Sequence, residues 1–74
     1  GPGALDPLVK ELIYIAVSVV NGCQYCVHSH SAAAKKKGMT DEMRSELFSI
    51  IAMASQTNAL AEAYQVDVDE NLKA

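Results

Sequence analysis

The chain has 74 residues, half of them apolar, and a net charge of −3. That length holds one domain, the apolar half excludes a generic disordered segment, and an acidic chain whose only basic run is Lys35-Lys36-Lys37 lacks the electrostatic footprint of a nucleic-acid binder. The longest apolar run, the nine residues from Leu12 to Val20, falls well short of the roughly 20 that span a bilayer, so no transmembrane segment and no membrane partner are expected.

Gly1-Pro2-Gly3 reads as an artificial scar, leaving 4–74 as a single domain. The amino terminus shows neither a basic n-region nor a cleavable signal, so the expected location is a reducing cytoplasm. Asp6-Pro7 is a good helix start: the Asp side chain can accept the first free amides, and Pro suits the first helical position. A first helix is expected from Pro7 to Asn21. Ile13, Tyr14, Ile15, Val17, Val19 and Val20 favour strands by propensity, and the run has no decisive period. The rest of the chain is helical and offers no second strand to pair, so the segment is read as a helix covered on most sides, stopped by Asn21-Gly22.

A second helix is expected from Gln24 to Lys37, closed by Gly38, its lysines complementing the carboxyl end of the helix dipole. Thr40, followed by Asp41 and Glu42, caps a third, whose stripe of Leu47, Ile50, Ile51, Ala54, Ala61 and Tyr64 keeps helical spacing. The polar, acidic stretch from Gln65 to Ala74 is undecided between a short helix, an extended arm and a frayed end. The fold class is therefore all-α, about three helices, with an antiparallel hairpin carrying a Cys-x-x-Cys motif at a helix start. So short a chain buries only about 60% of the surface its unfolded form exposes. With small apolar residues, one Phe (Phe48) and no Trp, packing in a homo-oligomer is expected.

Cys23 and Cys26 close too small a loop to act as a structural staple, so their spacing points to redox or metal chemistry. At a helix start they lie on adjacent turns, near enough for a disulfide, where free amides and the helix dipole stabilise a thiolate. His30 is four residues beyond Cys26 and can reach the same face to take the thiol proton, whereas His28 points to roughly the opposite side. In a hairpin turning at Asn21-Gly22, Glu11 lies about 16 Å down the first helix and His30 about 12 Å down the second, within combined side-chain reach. A Glu11, His30, Cys26 proton relay follows, with burial at the edge of the apolar run expected to raise the Glu11 pKa. Cys26 is favoured as the attacking thiol because His30 is its helical neighbour; the reverse order stays open because Cys23 is closer to the helix end. A zinc site of Cys23, Cys26, His28 and His30 is the metal alternative, although one helix cannot easily turn both histidines to one ion. Haem attachment is excluded by Val27 after the second cysteine. Tyr14, Tyr25 and Tyr64 read as packing residues, the lysine run as a solvated helix end, and Ser18 and Asn21 as either supports of the centre or helix caps.

Glu11-Leu12, Ser18, the run Asn21-Gly22-Cys23-Gln24-Tyr25-Cys26-Val27-His28-Ser29-His30, and Gly38 after an Ala-rich helix together resemble the core motif of the AhpD-like alkylhydroperoxidase group in the carboxymuconolactone decarboxylase family. The likeness covers Glu11 to Tyr64. It implies an all-helical fold, assembly into trimers or hexamers, and reduction of a small-molecule hydroperoxide by a dithiol. A dithiol or a thioredoxin- or lipoamide-like reductant recharges that pair, with no cofactor and no metal. In the family's pattern the matched Glu11, Cys23, Cys26 and His30 form the catalytic relay. The position of Tyr25 is His in the best-known peroxidases and often Tyr elsewhere. Classical members carry further helices. The decarboxylase branch usually lacks the cysteine pair, which argues for the redox branch. A non-catalytic redox sensor or oligomeric interaction protein of the same fold is the competing function class.

Overall fold

A computed structural model describes residues 3–73; of the expected scar, Gly1 and Pro2 lie outside the described residues, as does Ala74. Three helices follow one another: α1 (Pro7–Asn21), α2 (Gln24–Lys36) and α3 (Asp41–Ala63). No strand occurs among the described residues. The β-branched run of α1 is helical because its neighbours offer no strand to pair with and its start is well capped: Asp6 Oδ1 accepts from the Leu8 amide at 2.8 Å, with Pro7 at the first position. Thr40 Oγ1 does the same for α3, accepting from the Met43 amide at 3.1 Å.

All three helices end in the same motif. Gly22, at φ 73°, closes α1 with its amide on Val19 O and the Cys23 amide on Ser18 O at 2.9 Å. Gly38, at φ 109°, closes α2 with its amide on Lys35 O and the Met39 amide on Ala34 O. Both are Schellman ends, which need a residue in the left-handed region that glycine enters without steric cost. The third end places Gln65 there, at φ 52°, with the Val66 amide on Ala61 O. Gln65 offsets part of that cost by donating from Nε2 to Glu62 O and Glu62 Oε1.

The two glycine turns fold α1, α2 and the start of α3 around a small core. Ile15 and Ala34 are fully buried and Met39 nearly so, with Leu8, Leu12, Met43, Leu47 and Phe48 packed against them. Met39 reaches the core because the turn at Gly38 folds it back onto the last turns of α2, the hydrophobic contact that commonly accompanies such an end.

Burial is one-sided. The expectation that α1 is covered on most sides is not met: Val9, Ile13, Val17 and Val20 are exposed, because α2 and the start of α3 together cover one side of it only. α3 packs through Met43, Leu47 and Phe48, Ile51 is half-buried, and every described residue after Ile51 is exposed. Residues 65–69 lack regular structure and lead to a 3-10 turn at Glu70–Leu72, so the undecided tail is an exposed arm with one short turn. The chain exposes 6032 Å², whereas a compact monomer of this mass exposes about 4,400 Å². Its radius of gyration is 14.9 Å against about 11 Å for a compact domain of this length. The difference in area, on the order of 1,600 Å² for one chain, is about twice the roughly 800 Å² that each partner buries in a standard protein–protein interface.

Candidate functional site

The turn at Gly22 delivers Cys23 to the N-cap of α2, with φ −93° and ψ 91°. Its Sγ accepts from the Cys26 amide at 3.2 Å, one of the first free donors of the helix. Cys23 and Cys26 form a disulfide with their Cα atoms 5.2 Å apart, so the pair closes across the first turn without unwinding the helix. Ser18 supports this turn from below. It is buried, its Oγ donates to Tyr14 O at 2.6 Å, and its own carbonyl accepts the Cys23 amide. Of the two readings open for Ser18, support of the cysteine turn is the one these bonds favour; Asn21 is exposed and only ends the helix.

Farther down the hairpin, Glu11 of α1 meets α2. Glu11 Oε2 lies 3.0 Å from His30 Nδ1, and Glu11 Oε1 lies 3.5 Å from Lys37 Nζ. The carboxylate is thus clasped between the middle of α2 and Lys37, the residue that caps its end. The expected rise in its pKa is overturned. The hydrogen bond to His30 is the largest influence and lowers the value from the usual 4.5, Lys37 lowers it further, and partial burial opposes them without prevailing. Position in an apolar run suggested desolvation alone; two nitrogen partners across the hairpin outweigh it.

The structure brings Glu11 to His30 but draws no hydrogen bond from His30 to either cysteine among the described residues. With Nδ1 engaged, Nε2 is the ring nitrogen without a partner there. Two further residues join the site, Tyr14 and Lys37. Tyr14, read as a packing residue, is 58% exposed and stacks on His30 with ring centroids 4.1 Å apart and planes inclined by 15°. Lys37, read as part of a solvated helix end, is the second partner of Glu11. The signal for Tyr14 was its spacing of three from Glu11, which puts both on one face of α1. Lys37 sits beyond the last helical residue and carried no periodic signal.

Tyr25 is exposed. His28 is exposed and lines a shallow groove of about 360 Å³ beside Cys23, together with Val19, Gly22, Gln24 and Val27. His28 and His30 thus diverge, one toward the groove and the other onto Glu11. No group of three His, Cys, Asp or Glu side chains is disposed to hold a metal ion among the described residues. No helix among them is long and apolar enough to cross a membrane.

Comparison with known proteins bears on what such a hairpin is. The family model for the carboxymuconolactone decarboxylase family matches residues 1–69. An alkyl hydroperoxide reductase AhpD of Solibacter usitatus is 38% identical over 64 residues, covering 86% of this chain and 34% of that protein. One from Mycobacteroides abscessus is 40% identical over 62 residues, covering 82% and 35%. A crystal structure of an alkylhydroperoxidase AhpD core from Rhodospirillum rubrum superposes with a TM-score of 0.92 at 58% identity, covering 96% of this chain and 52% of that one. The chain therefore spans about a third of the curated reductases, at 34% and 35% of their lengths, and half of the solved core.

Proposed function

The chain belongs to the carboxymuconolactone decarboxylase family as an AhpD-like domain, and from that membership and the geometry of its hairpin we propose that it is a thiol-dependent peroxidase that reduces hydroperoxides through Cys23 and Cys26. The observation that carries this reading is a disulfide closed across the first turn of α2 while the same hairpin holds a Glu11–His30 pair on that helix. A dithiol at a helix start is reactive because amides and the helix dipole favour its thiolate.

In the reduced protein His30 Nε2 takes the proton of the Cys26 thiol, and Glu11 steadies the resulting imidazolium through Nδ1. The thiolate attacks the terminal oxygen of the hydroperoxide. The O–O bond breaks, the departing alkoxide takes a proton and leaves as the alcohol, and Cys26 becomes a sulfenic acid. Cys23, whose sulfur sits on the Cys26 amide, attacks that sulfur as a thiolate; the disulfide forms and hydroxide leaves as water with the proton Cys23 gave up. The pair's two electrons have reduced the peroxide. An external dithiol, small or carried by a thioredoxin- or lipoamide-like partner, attacks the disulfide and departs oxidised, restoring both thiols. Such a cycle suits a reducing cytoplasm, where dithiol donors persist.

The domain, 4–74, is read as one protomer of a homo-oligomer, because its surplus surface exceeds the roughly 800 Å² that one partner buries in a standard interface; the family resemblance implies a trimer or hexamer. Sedimentation of the purified protein as a monomer would overturn that part.

Steady-state consumption of hydrogen peroxide and an organic hydroperoxide with a dithiol donor tests the function. Turnover falls by about a thousandfold or more in Cys26→Ser and Cys23→Ser, because the covalent cycle needs both sulfurs. In a single turnover Cys23→Ser accumulates a sulfenic acid that dimedone traps, and Cys26→Ser does not. A protein that oxidises once and fails to turn over is a sensor, and unchanged turnover in either variant removes the cysteine mechanism.

A further inference from the structure

Tyr14 is more than half exposed yet lies flat on the His30 imidazole, centroids 4.1 Å apart. Its hydroxyl has no hydrogen-bond partner among the described residues, so what the site uses is the ring. Its backbone is held too, since the buried Ser18 hydroxyl donates to Tyr14 O at 2.6 Å.

Resting on the peroxidase reading above, we propose that Tyr14 is a positioning residue for His30: the phenol ring, stacked on the imidazole while Glu11 holds Nδ1, fixes the plane in which Nε2 is presented to the cysteines and supports the ring when it carries the thiol proton. The hydrogen bond that Nδ1 donates to Glu11 fixes one atom and by itself leaves the ring free to rotate about it; a flat stack removes that rotation. The chemistry also favours this partner, because the negative face of an aromatic ring attracts an imidazolium more than a neutral imidazole. The groups around the ring are Glu11 and Tyr14 from α1 and, through Glu11, Lys37 from the end of α2. No hydrogen bond or ion pair reaches it from α3 among the described residues.

The test compares Tyr14→Phe, which keeps the ring and removes the hydroxyl, with Tyr14→Leu, which keeps bulk and removes the ring. NMR of the oxidised protein reads the stack directly, as upfield ring-current displacement of the His30 ring protons. Steady-state peroxide reduction reads its consequence. The displacement persists in Tyr14→Phe, and kcat stays within about twofold, the hydroxyl being unused; in Tyr14→Leu the displacement vanishes and kcat falls about two- to fivefold with KM unchanged, the range expected of an exposed cation–π contact. Circular dichroism and sedimentation matching the parent show that fold and assembly are intact. If Tyr14→Leu does not fold, Tyr14→Trp replaces it and deepens the displacement. Unaltered His30 shifts and kcat in folded Tyr14→Leu overturn the proposal, as does a Phe variant as impaired as the Leu one, or a Trp variant whose shifts do not move. If the parent protein turned over no peroxide, the peroxidase reading would fall while the NMR comparison still decided the stack, with the rate of disulfide reduction by a small dithiol in place of kcat.

Discussion

The α1–α2 hairpin and the carboxyl-terminal part of α3 are both regular helix, but they are held by different forces. In the hairpin, Ile15 and Ala34 are fully buried, and every hydrogen bond and ion pair joining Glu11, His30, Lys37 and the two cysteines lies within residues 11–37. After Ile51, α3 runs on for three turns with no residue covered, exposing Met53 and Leu60. Capping by Thr40, acidic residues in the first turn and a high alanine content carry it that far by local preference. Secondary structure is thus local throughout, whereas the candidate site depends on cross-helix contacts that only the hairpin possesses.

Substitutions should separate the two regions sharply. The largest expected effect is on activity: Glu11→Gln keeps a side chain of the same shape but removes the charge facing His30, and peroxide turnover falls about a hundredfold, a typical contribution of acid–base machinery. A change at Leu60, in the uncovered part of α3, leaves the single-turnover oxidation rate unaltered; a comparable loss there would show that the site extends beyond the hairpin. Next comes packing. Ile15→Ala costs about 3 kcal/mol in denaturant unfolding, while Leu60→Ala, at 50% exposure, costs about 0.5 kcal/mol or less. Equal costs would mean that α3 is as deeply packed in solution as α1.

The helix ends give a smaller contrast. Gly22→Ala has open space for the new methyl but must adopt φ 73°, at a cost of about 1 kcal/mol. Gln65→Gly relieves the same strain at the end of α3 and raises stability by about 0.5 kcal/mol, part of the gain being offset by the lost bonds to Glu62. Thermal melts of the two variants should move in opposite directions. The smallest effect is with pH. The folded Glu11 carboxyl ionises at lower pH than its unfolded value of 4.5, so its clasp contributes fully above that value and is lost as pH falls through the depressed one. The pair is partly exposed and screened, so the loss is slight. Lys37→Met narrows that acid-sensitive window in stability-versus-pH curves, because one of the two groups lowering the Glu11 value is gone.

Much of the molecule was legible in its residues. Asp6-Pro7 and Thr40 mark helix starts, Gly22 and Gly38 mark the stops, and the turn between α1 and α2 brings Glu11 against His30 at a register that counting residues along two helices predicts. These are consequences of neighbouring residues and of fixed helical rise, so the sequence by itself determined them. The resemblance carried by the Cys-x-x-Cys-x-x-x-His spacing determined the family as well. Three things were decided only by tertiary structure. The sign of the Glu11 shift depended on whether desolvation or two cross-helix partners prevailed. The stack of Tyr14 on His30 depended on the crossing of α1 over α2. The participation of Lys37 depended on how the chain leaves α2. Each is a balance of distances of a few ångströms between residues far apart in the chain, which no periodicity encodes.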